Sequence, residues 1–495
     1  MVTIHQIDYA MSHFIRTVRF LVFIFVVMVA FLFSPPAFAK DLYVNASTGS
    51  DSYTWAQNDA AHPWATFTKG VQTAIAGDTV YVAAGTYTAA GSGGRWTPAF
   101  NPANSGTAGN PITFIGGAGV VLRTDMVAGP IIGADGRNYI TWKNFIIDEN
   151  NYVRAPDTCS IVIHVSTGSV IDSIEVIGRN IGNVSGSAEN HSAIRIEAAT
   201  SITVRNSKFH GMTGNAPINH NTGGIMTYGV SNSVFENNEI YATYSGIFLK
   251  GTSPGYTING NIIRYNYFHD LNSDAVILLY GYTNTSVYQN IMEGTGSGVM
   301  MDDTTSLAGS SIHNNTIVNV IGSNGSIYAK TITTGPVTVK NNIIYGGSYA
   351  VVLQGGYSMP ISYNHNGYFG QSISKRWYSG SAQTFAQWQA GVTGGDSHSI
   401  LTDPLFVNAS AHDYHLQDGS PARTASDTGG ANGAYISGTE TIGTGMTVMP
   451  PMQGSTSSGG GGCSITGTKG DSINASSIVY LFFLIAPAIL LFVRN

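Results

Sequence analysis

Apolar and polar residues alternate in short runs along the middle of this chain, and the runs recur at a nearly constant spacing. Each unit contains an apolar, β-rich triplet, a polar or charged residue, an Asn and a further apolar residue. The units lie at 142–146, 204–209, 235–240, 263–268, 287–290, 312–317, 339–344 and 365–368. The later Asn residues are 24 to 28 positions apart: Asn238, Asn266, Asn290, Asn315, Asn342 and Asn366. A repeat of this length with strand-forming residues predicts a solenoid of stacked β-coils.

A second strand-like run follows the Asn turn in each unit. These runs lie at 193–197, 224–228, 246–250, 275–279, 298–302, 326–330 and 350–354. Because side chains alternate along a strand, Ile247 and Leu249 are expected to point inward, and Phe248 and Lys250 outward. One outward column, with about 4.8 Å between rungs, then reads Glu197, Tyr228, Lys250, Leu279, Asp302, Lys330 and Gln354.

The recurring Asn residues predict a structural ladder, because stacked Asn side chains can hydrogen-bond from rung to rung and to turn backbones. The strand before each Asn gives another outward column: Arg205, Glu236, Arg264, Tyr288, His313 and Lys340. Its first three members alternate in charge. We interpret them as surface ion pairs in preference to a catalytic arginine.

Composition narrows the class of protein. Only 10% of the residues are charged and 60 are Gly, which suits many strands joined by tight turns. A net charge of −6 gives no basic footprint for nucleic acid. The two cysteines, Cys159 and Cys463, are too few for a disulfide framework.

Residues 1–39 predict a signal peptide, and therefore a secreted protein. Arg16 and Arg19 precede an apolar run at 20–33, and Ala37-Phe38-Ala39 forms an A-x-A cleavage site. A membrane anchor is disfavoured because fourteen apolar residues are short for a span. The start of translation, Met1 or Met11, stays open.

The C-terminal end has a three-part pattern of its own. A Ser/Gly stretch at 455–462 precedes Cys463, an apolar run of sixteen residues covers 478–493, and Arg494 follows. As a helix the run is roughly 24 Å long, somewhat short of the ~30 Å hydrocarbon core. The pattern resembles bacterial C-terminal sorting tails. That resemblance implies processing, with Cys463 as the acceptor of cleavage or lipid, and attachment to the bacterial cell surface or outer membrane. A plain membrane anchor is the alternative.

The two ends of the repeat region resemble one family. At the N-terminal side lie a strand at 41–44, a helix following Thr66 and running through Ala74, and strands at 77–82 and 85–87. At the C-terminal side lie the segments 402–407, 413–416 and 419–422. The pattern is similar to secreted right-handed parallel β-helix proteins of the pectate-lyase-like class. The resemblance covers residues 41–430 and implies an all-β solenoid of roughly ten coils with a short N-terminal capping helix.

We therefore divide the chain into a signal peptide at 1–39, a β-helix domain at 40–430, a Gly/Ser/Thr-rich linker at 431–462 and a sorting or transmembrane tail at 463–495. The protein is expected to be monomeric.

In the pectate-lyase-like class the second strand and its loops usually form a polysaccharide groove. The resemblance therefore implies a lyase or epimerase of acidic (uronate) glycans that uses Lys or Arg as the base. Lys250 is the candidate base, assisted by Asp302 and Asp274. Tyrosines offer sugars a flat apolar face with polar edges. The expected substrate-binding residues are Arg195, Glu197, Tyr228, Tyr280, Tyr282 and Lys330.

Three alternatives remain open at this stage. Asp302 lies one rung from Lys330, so a simple salt bridge is as plausible as a catalytic role. Ca²⁺ could be held by Asp270, Asp274, Asp302 and Asp303, although no compact Asp-x-Asp-x-Asp loop supports such a site. The rival function is a non-catalytic, glycan-binding or adhesin-like surface protein. Glycoside hydrolysis is disfavoured, because the Gly-His-Gly and Arg-x-Lys elements of polygalacturonases are missing from the sequence.

Overall fold

A computed structural model describes residues 39–90, 94–125, 129–149, 158–178, 180–181, 190–214, 221–251, 258–303, 306–371 and 377–445. The chain forms two compact units, Met1–Pro450 and Pro451–Asn495, and the second lies wholly outside the described residues. The predicted signal peptide up to residue 38, the end of the predicted linker and the predicted C-terminal tail also lie outside them. Within the described ranges no helix is long and apolar enough to cross a membrane.

Three long sheets run side by side along the molecule. Sheet 1 has twelve parallel strands: β1 (Asp41–Val44), β2 (Thr79–Val82), β4 (Ile112–Gly116), β7 (Ile140–Lys143), β10 (Val170–Asp172), β14 (Thr203–Arg205), β18 (Val234–Glu236), β21 (Ile262–Arg264), β24 (Ser286–Tyr288), β27 (Ser311–His313), β30 (Val337–Lys340) and β33 (Ile361–Asn364).

Sheet 2 has eleven parallel strands: β3 (Gly85–Ala89), β5 (Val120–Thr124), β8 (Ile146–Asp148), β11 (Glu175–Ile177), β15 (Lys208–His210), β19 (Glu239–Tyr241), β22 (Tyr267–His269), β25 (Ile291–Glu293), β28 (Thr316–Val318), β31 (Ile343–Tyr345) and β34 (Gly367–Phe369).

Sheet 3 also has eleven strands: β6 (Ile132–Asp135), β9 (Cys159–His164), β13 (Ser192–Thr200), β17 (Gly223–Ser231), β20 (Ser245–Lys250), β23 (Val276–Leu279), β26 (Val299–Asp303), β29 (Ile327–Ile332), β32 (Val351–Leu353), β35 (Trp377–Tyr378) and β36 (Ala382–Gln383). Its last pair, β35 and β36, is antiparallel.

The remaining elements are short. Two small sheets pair β12 (Asn180–Ile181) with β16 (Thr213–Gly214), and β37 (Phe406–Asn408) with β38 (Asp413–Leu416). The helices are α1 (Phe67–Thr73), α2 (Phe385–Gly391), and the 3₁₀ turns η1 (Ala409–Ala411) and η2 (Pro421–Thr424).

The chain visits sheets 1, 2 and 3 in turn and then starts the next rung, which makes a parallel β-helix and confirms the predicted fold class. Each coil contains three strands, however, where the sequence analysis placed two. The extra strand is the short segment directly after the Asn turn, such as β22. The chain turns sharply there because one residue before it is left-handed, as at Tyr265 (φ 58°) and Gln289 (φ 51°).

The Asn ladder is confirmed. The side-chain Nδ2 of each fully buried Asn donates to Oδ1 of the next, at 3.0 Å from Asn238 to Asn266, 2.9 Å from Asn266 to Asn290 and 2.9 Å from Asn290 to Asn315. Two further steps of 3.0 Å reach Asn342 and Asn366.

The first two units of the repeat are shifted by one residue relative to the ladder. Asn144 (φ 61°) and Asn206 (φ 52°) occupy the left-handed turn position. The ladder position next to Asn206 is therefore Ser207, whose backbone N–H donates to Asn238 Oδ1 at 3.2 Å. Asn serves both positions because it tolerates the left-handed region and also hydrogen-bonds to turn backbone.

The coil ends are covered by helices. At the N-terminal end, Thr66 caps α1 by accepting from the Lys69 N–H at 3.2 Å, and Phe67 packs against Phe114 and Trp142 inside the coils. This confirms the predicted capping helix. At the C-terminal end, Trp388 of α2 is fully buried and lies 5.1 Å from the ring of Tyr363.

Residues 401–445 form a C-terminal strap along the outer face of sheet 2. The strap buries outward residues of that sheet, including Tyr267 and Ile291, beneath residues such as Tyr435 and Ile442. It runs back to β19, where Thr444 Oγ1 donates to Glu239 Oε2 at 2.6 Å. Residues 431–445, which the sequence analysis assigned to a linker, are part of this packed strap.

Removing one ladder amide should destabilise the fold strongly. Asn290 Nδ2 also donates to the carbonyls of Ile263 and Tyr288, each at 3.0 Å, so Asn290→Ala leaves several buried polar groups without partners. We expect a loss of about 3 kcal/mol in the free energy of unfolding, measured by urea titration followed by circular dichroism. The exposed Asn110 provides the control, since Asn110→Ala should change little. If both substitutions lowered the free energy of unfolding equally, the ladder amides would have no special role in stability.

The end of the strap should depend on pH through His269. Burial disfavours its charged form, but hydrogen bonds to Glu239 and Asp270 outweigh this and raise the pKa of His269. The same imidazolium, with Thr444 and Lys208, lowers the pKa of Glu239 to about 2. A raised folded pKa means that the stabilisation is present below the unfolded value of about 6.5 and is lost as pH rises through the folded pKa.

His269→Gln should therefore lower the melting temperature more at mildly acidic than at alkaline pH. The exposed His62, which contacts Asp59 at 2.9 Å, is the matched control. A pH-independent loss in the His269 variant would show that the imidazole acts only by packing.

Candidate functional site

One outward column lies at the C-terminal ends of the sheet 3 strands. Backbone pairing places Asp135, His164, Glu197, Tyr228, Lys250, Leu279 and Asp302 on successive rungs. We call these seven residues, together with Lys330, the strip. The predicted column from Glu197 to Asp302 is thus confirmed as a register. Lys330 lies where the pairing of β26 with β29 is interrupted by a shift.

Lys250 is half-buried in aromatic surroundings. Its Nζ lies 5.2 Å from the ring centroid of Tyr228 and 5.8 Å from that of Phe248. Burial, and secondly the positive charge of Arg195, lower the pKa of Lys250. No carboxylate of the described residues forms an ion pair with it. Lys250 is therefore more easily deprotonated than an ordinary surface lysine.

Arg195 and Glu197 form a pair beside this lysine. The Arg195 Nη2 lies 3.2 Å from Glu197 Oε2, and the guanidinium lies 4.6 Å from the Tyr228 ring centroid. The side chain of Arg195 is only 10% exposed. The Tyr228 ring therefore contacts two cations, and the charge of one of them is already matched by Glu197.

Asp302 and Lys330 form an ion pair, as the alternative to a catalytic role of Asp302 predicts. Lys330 Nζ donates to Asp302 Oδ2 at 3.0 Å. This hydrogen bond raises the pKa of Lys330, which therefore stays charged. Asp302 is two rungs from Lys250, about 10 Å away, with Leu279 between them.

Asp274 lies away from the strip. It precedes β23 and is five residues from Leu279, roughly 16 Å along an extended strand. It is 2% exposed, and it accepts hydrogen bonds from the hydroxyls of Ser273 and Ser297. Asp274 is thus an acceptor inside the turn, apart from Lys250, and the role of assisting Lys250 stays a prediction.

Tyr280 and Tyr282, both predicted to contact sugar rings, differ in their exposure to solvent. Tyr280 is 47% exposed at the edge of the strip. Tyr282 is completely buried inside the coils, where its hydroxyl lies 3.1 Å from Thr227 Oγ1. The left-handed turn at Tyr280 (φ 63°) directs the following chain inward, so Tyr282 cannot offer its face to a sugar.

The residues considered for Ca²⁺ are dispersed. Asp270 is on the sheet 2 side, where its Oδ2 contacts His269 Nδ1 at 2.8 Å, and Asp274 is occupied by serine hydroxyls. The side chain of Asp303 lies outside the described residues. Among the side chains that the structure describes, no three His, Cys, Asp or Glu residues converge on one point. The described residues do not fit a Ca²⁺ site.

The neighbouring outward column of sheet 3 is apolar. Met226, Phe248, Ile277 and Met300 form a cluster, each at most 9% exposed, and Tyr328 packs against it. The strip is consequently a polar border along an apolar face. These apolar residues occupy alternate positions of the same strands, so the sequence already indicates an apolar column beside the polar one.

Trp96, Asp135 and His164 were missed by sequence reasoning. His164 Nδ1 lies 2.8 Å from Asp135 Oδ1, and the His164 ring stacks on Trp96 at 4.3 Å. The guanidinium of Arg195 lies 5.1 Å from the Trp96 ring. The strands β6 and β9 precede the series of runs recognised in the sequence, and Trp96 comes from a loop between β3 and β4. No repeat signal marked them.

An open pocket of about 580 Å³ adjoins the strip at the turn towards sheet 1. It is lined by Val165, Ala198 and Gly229, which directly follow strip residues, and extends to Ser231 and Asn259. The strip therefore borders a concave, largely polar surface.

Of the predicted charge ladder in sheet 1, the pair of Glu236 with Arg264 is confirmed, whereas Arg205 pairs with Asp172. Arg264 Nη2 lies 2.6 Å from Glu236 Oε2, while Arg205 Nη2 contacts Asp172 Oδ2 at 3.0 Å. These arginines are therefore occupied by carboxylates of the preceding rung.

Comparison with known proteins supports the architecture. The family described as the right handed beta helix region matches residues 130–317 and 192–366. A comparison with curated proteins finds no match. Solved structures of similar fold include a lacto-N-biosidase from Eubacterium ramulus, at 12% identity and a TM-score of 0.47, over 73% of this chain and 68% of that chain.

Two further structures are a rhamnogalacturonan lyase and a pectate lyase. The first has 15% identity and a TM-score of 0.42, over 77% of this chain and 96% of that chain. The second has 13% identity and a TM-score of 0.39, over 82% of this chain and 96% of that chain. The support for the β-helix comes from the family match over residues 130–317 and 192–366.

Proposed function

We propose that the strip binds an acidic polysaccharide and that the protein is a lyase or epimerase of uronate-containing glycans, with Lys250 as the base. The observation that carries the proposal is the state of Lys250. Its pKa is lowered by burial, and no carboxylate among the described residues holds it in the charged form. A lysine with a lowered pKa loses its proton more readily, and its deprotonated form is a competent proton acceptor.

The reaction begins with a proton transfer. Lys250 Nζ takes the proton from the carbon next to the uronate carboxylate, and the electron pair is delocalised into that carboxylate. In a lyase the pair then forms a carbon–carbon double bond, the glycosidic C–O bond breaks, and the leaving oxygen takes a proton from water. In an epimerase a proton returns to the opposite face of the same carbon.

A cation near the uronate carboxylate stabilises the charge that develops on it. Arg195 supports this step by position, since its guanidinium and Lys250 Nζ contact the same Tyr228 ring. Lys330 lies farther along the strip, and its charge is already paired with that of Asp302. Tyr228 and Tyr280 offer sugar rings the aromatic contact that carbohydrates favour.

Lys250→Arg keeps the positive charge but raises the pKa of the side chain, so the fraction of free base at working pH falls steeply. We expect this variant to bind acidic glycans as before and to lose at least about a hundredfold of the turnover. Turnover is followed by ultraviolet absorbance of the unsaturated product for a lyase, and by proton NMR for an epimerase. Lys143→Met, at an exposed lysine of sheet 1, is the control.

The pH profile gives a second test of the base. Activity of the native protein should rise with pH and reach its plateau below the ordinary lysine range, since only the neutral amine accepts the proton and its pKa is lowered. Unchanged turnover in a Lys250→Met variant, which has no basic group at this position, would exclude Lys250 as the base.

The second candidate is a non-catalytic glycan-binding or adhesin-like surface protein. It is favoured by the pairing of Arg195 with Glu197 and of Lys330 with Asp302, which leaves few free charges to act on a substrate. Binding of acidic glycans without chemical change in any of them would favour this candidate.

We also propose that the protein is secreted and attached to the bacterial cell surface through its C-terminal tail. The support is the sequence pattern of the two ends. Cell fractionation of the native chain and of a Cys463→Ser variant tests this, and release of the variant into the medium is the expected result.

A further inference from the structure

We propose that His164, held by Asp135 and Trp96, forms a second subsite of the strip that binds an uncharged sugar unit of the same glycan. The subsite rests on the proposed function, because it assumes that a uronate unit occupies Lys250. It deepens that function by defining the substrate class: a glycan in which uronate and uncharged sugar units are combined.

His164 is fixed on two sides. Asp135 Oδ1 accepts the Nδ1–H at 2.8 Å, so whenever the ring is in its neutral form the lone pair is on Nε2. The Trp96 ring covers one face at 4.3 Å with an interplanar angle of 14°. Nε2 has no hydrogen-bond partner among the described residues, and the side chain is 24% exposed. The imidazole therefore presents one oriented acceptor to the surface.

The neighbouring rungs make the subsite selective for hydroxyl groups. Asp135 precedes His164 and Glu197 follows it, each about 4.8 Å away. Carboxylates and the Nε2 lone pair are acceptors, and a sugar hydroxyl can donate to any of them. A second uronate carboxylate would bring a like charge between Asp135 and Glu197. Two arginines contact the Trp96 ring, each with its guanidinium 5.1 Å from the ring centroid: Arg195, whose charge is already matched by Glu197, and Arg95.

The distance to Lys250 sets the length of ligand that can reach both points. His164 and Lys250 are three rungs apart, about 14 Å along the strip. A single sugar ring is too short to touch both. The subsite should therefore contribute to the binding of longer oligosaccharides and leave the shortest ones unaffected.

The test uses the full chain carrying Lys250→Arg, which keeps the cation and removes turnover. Calorimetry compares alternating uronate/uncharged oligosaccharides from chondroitin with oligogalacturonates of equal length. We expect about tenfold tighter binding of the alternating ligand. Adding His164→Gln or Asp135→Asn should remove this preference. Adding His210→Gln should keep it, since His210 makes a similar contact with Glu175 (3.2 Å) on sheet 2.

The outcomes separate the two proposals. A preference that survives in the His164→Gln variant, or that favours the oligogalacturonate, overturns the subsite and leaves the proposed function standing. A loss of equal size for short and long oligosaccharides also overturns it, because the change would then act through general packing. No binding of any acidic oligosaccharide overturns the proposed function together with the subsite. Melting curves of each variant check that the fold is intact.

Discussion

The buried Asn ladder between sheets 1 and 2 is the constraint on which the other parts of this structure depend. Each coil must turn sharply after three or four residues, and a buried turn leaves backbone groups that need partners. The ladder amides supply them: Asn266, for example, donates to the carbonyls of Phe235 and Arg264, both at 2.9 Å, as well as to the next Asn. Because this bonding repeats from rung to rung, it fixes the register of the coils from Asn238 to Asn366.

Because strand pairing has a fixed register, residues that are far apart in the sequence lie next to one another along the strip. Successive residues of the strip are 22 to 33 positions apart in the chain, yet the pairing of sheet 3 stacks them one rung apart. The inner face of the same strands is largely apolar, and the adjoining outward column is largely apolar as well. Polar groups are thereby confined to one border, where Lys250 is partly desolvated and His164 is held between Asp135 and Trp96.

The C-terminal strap covers an apolar outer face of sheet 2. Outward residues of sheet 2 such as Ile291 and Ile343 are too apolar to face water, and the strap covers them. It also bonds to the turns themselves, as when the Gly443 N–H donates to the carbonyl of Tyr265 at 2.7 Å. Sheet 2 is thus largely a structural face in its later coils, while sheet 3 keeps an open polar border.

The sequence by itself determined the solenoid, the capping helix, the inward and outward positions around Lys250 and the structural role of the Asn residues. These depend on local periodicity, which short runs of residues report directly. Only the tertiary structure shows that each coil has three strands. It also shows that Tyr282 is buried and that Asp274 lies apart from Lys250. A single left-handed residue changes the direction of the chain without changing the apolar pattern. The grouping of Trp96, Asp135 and His164 depends on a loop that reaches over distant rungs, and no spacing along the chain encodes such a contact.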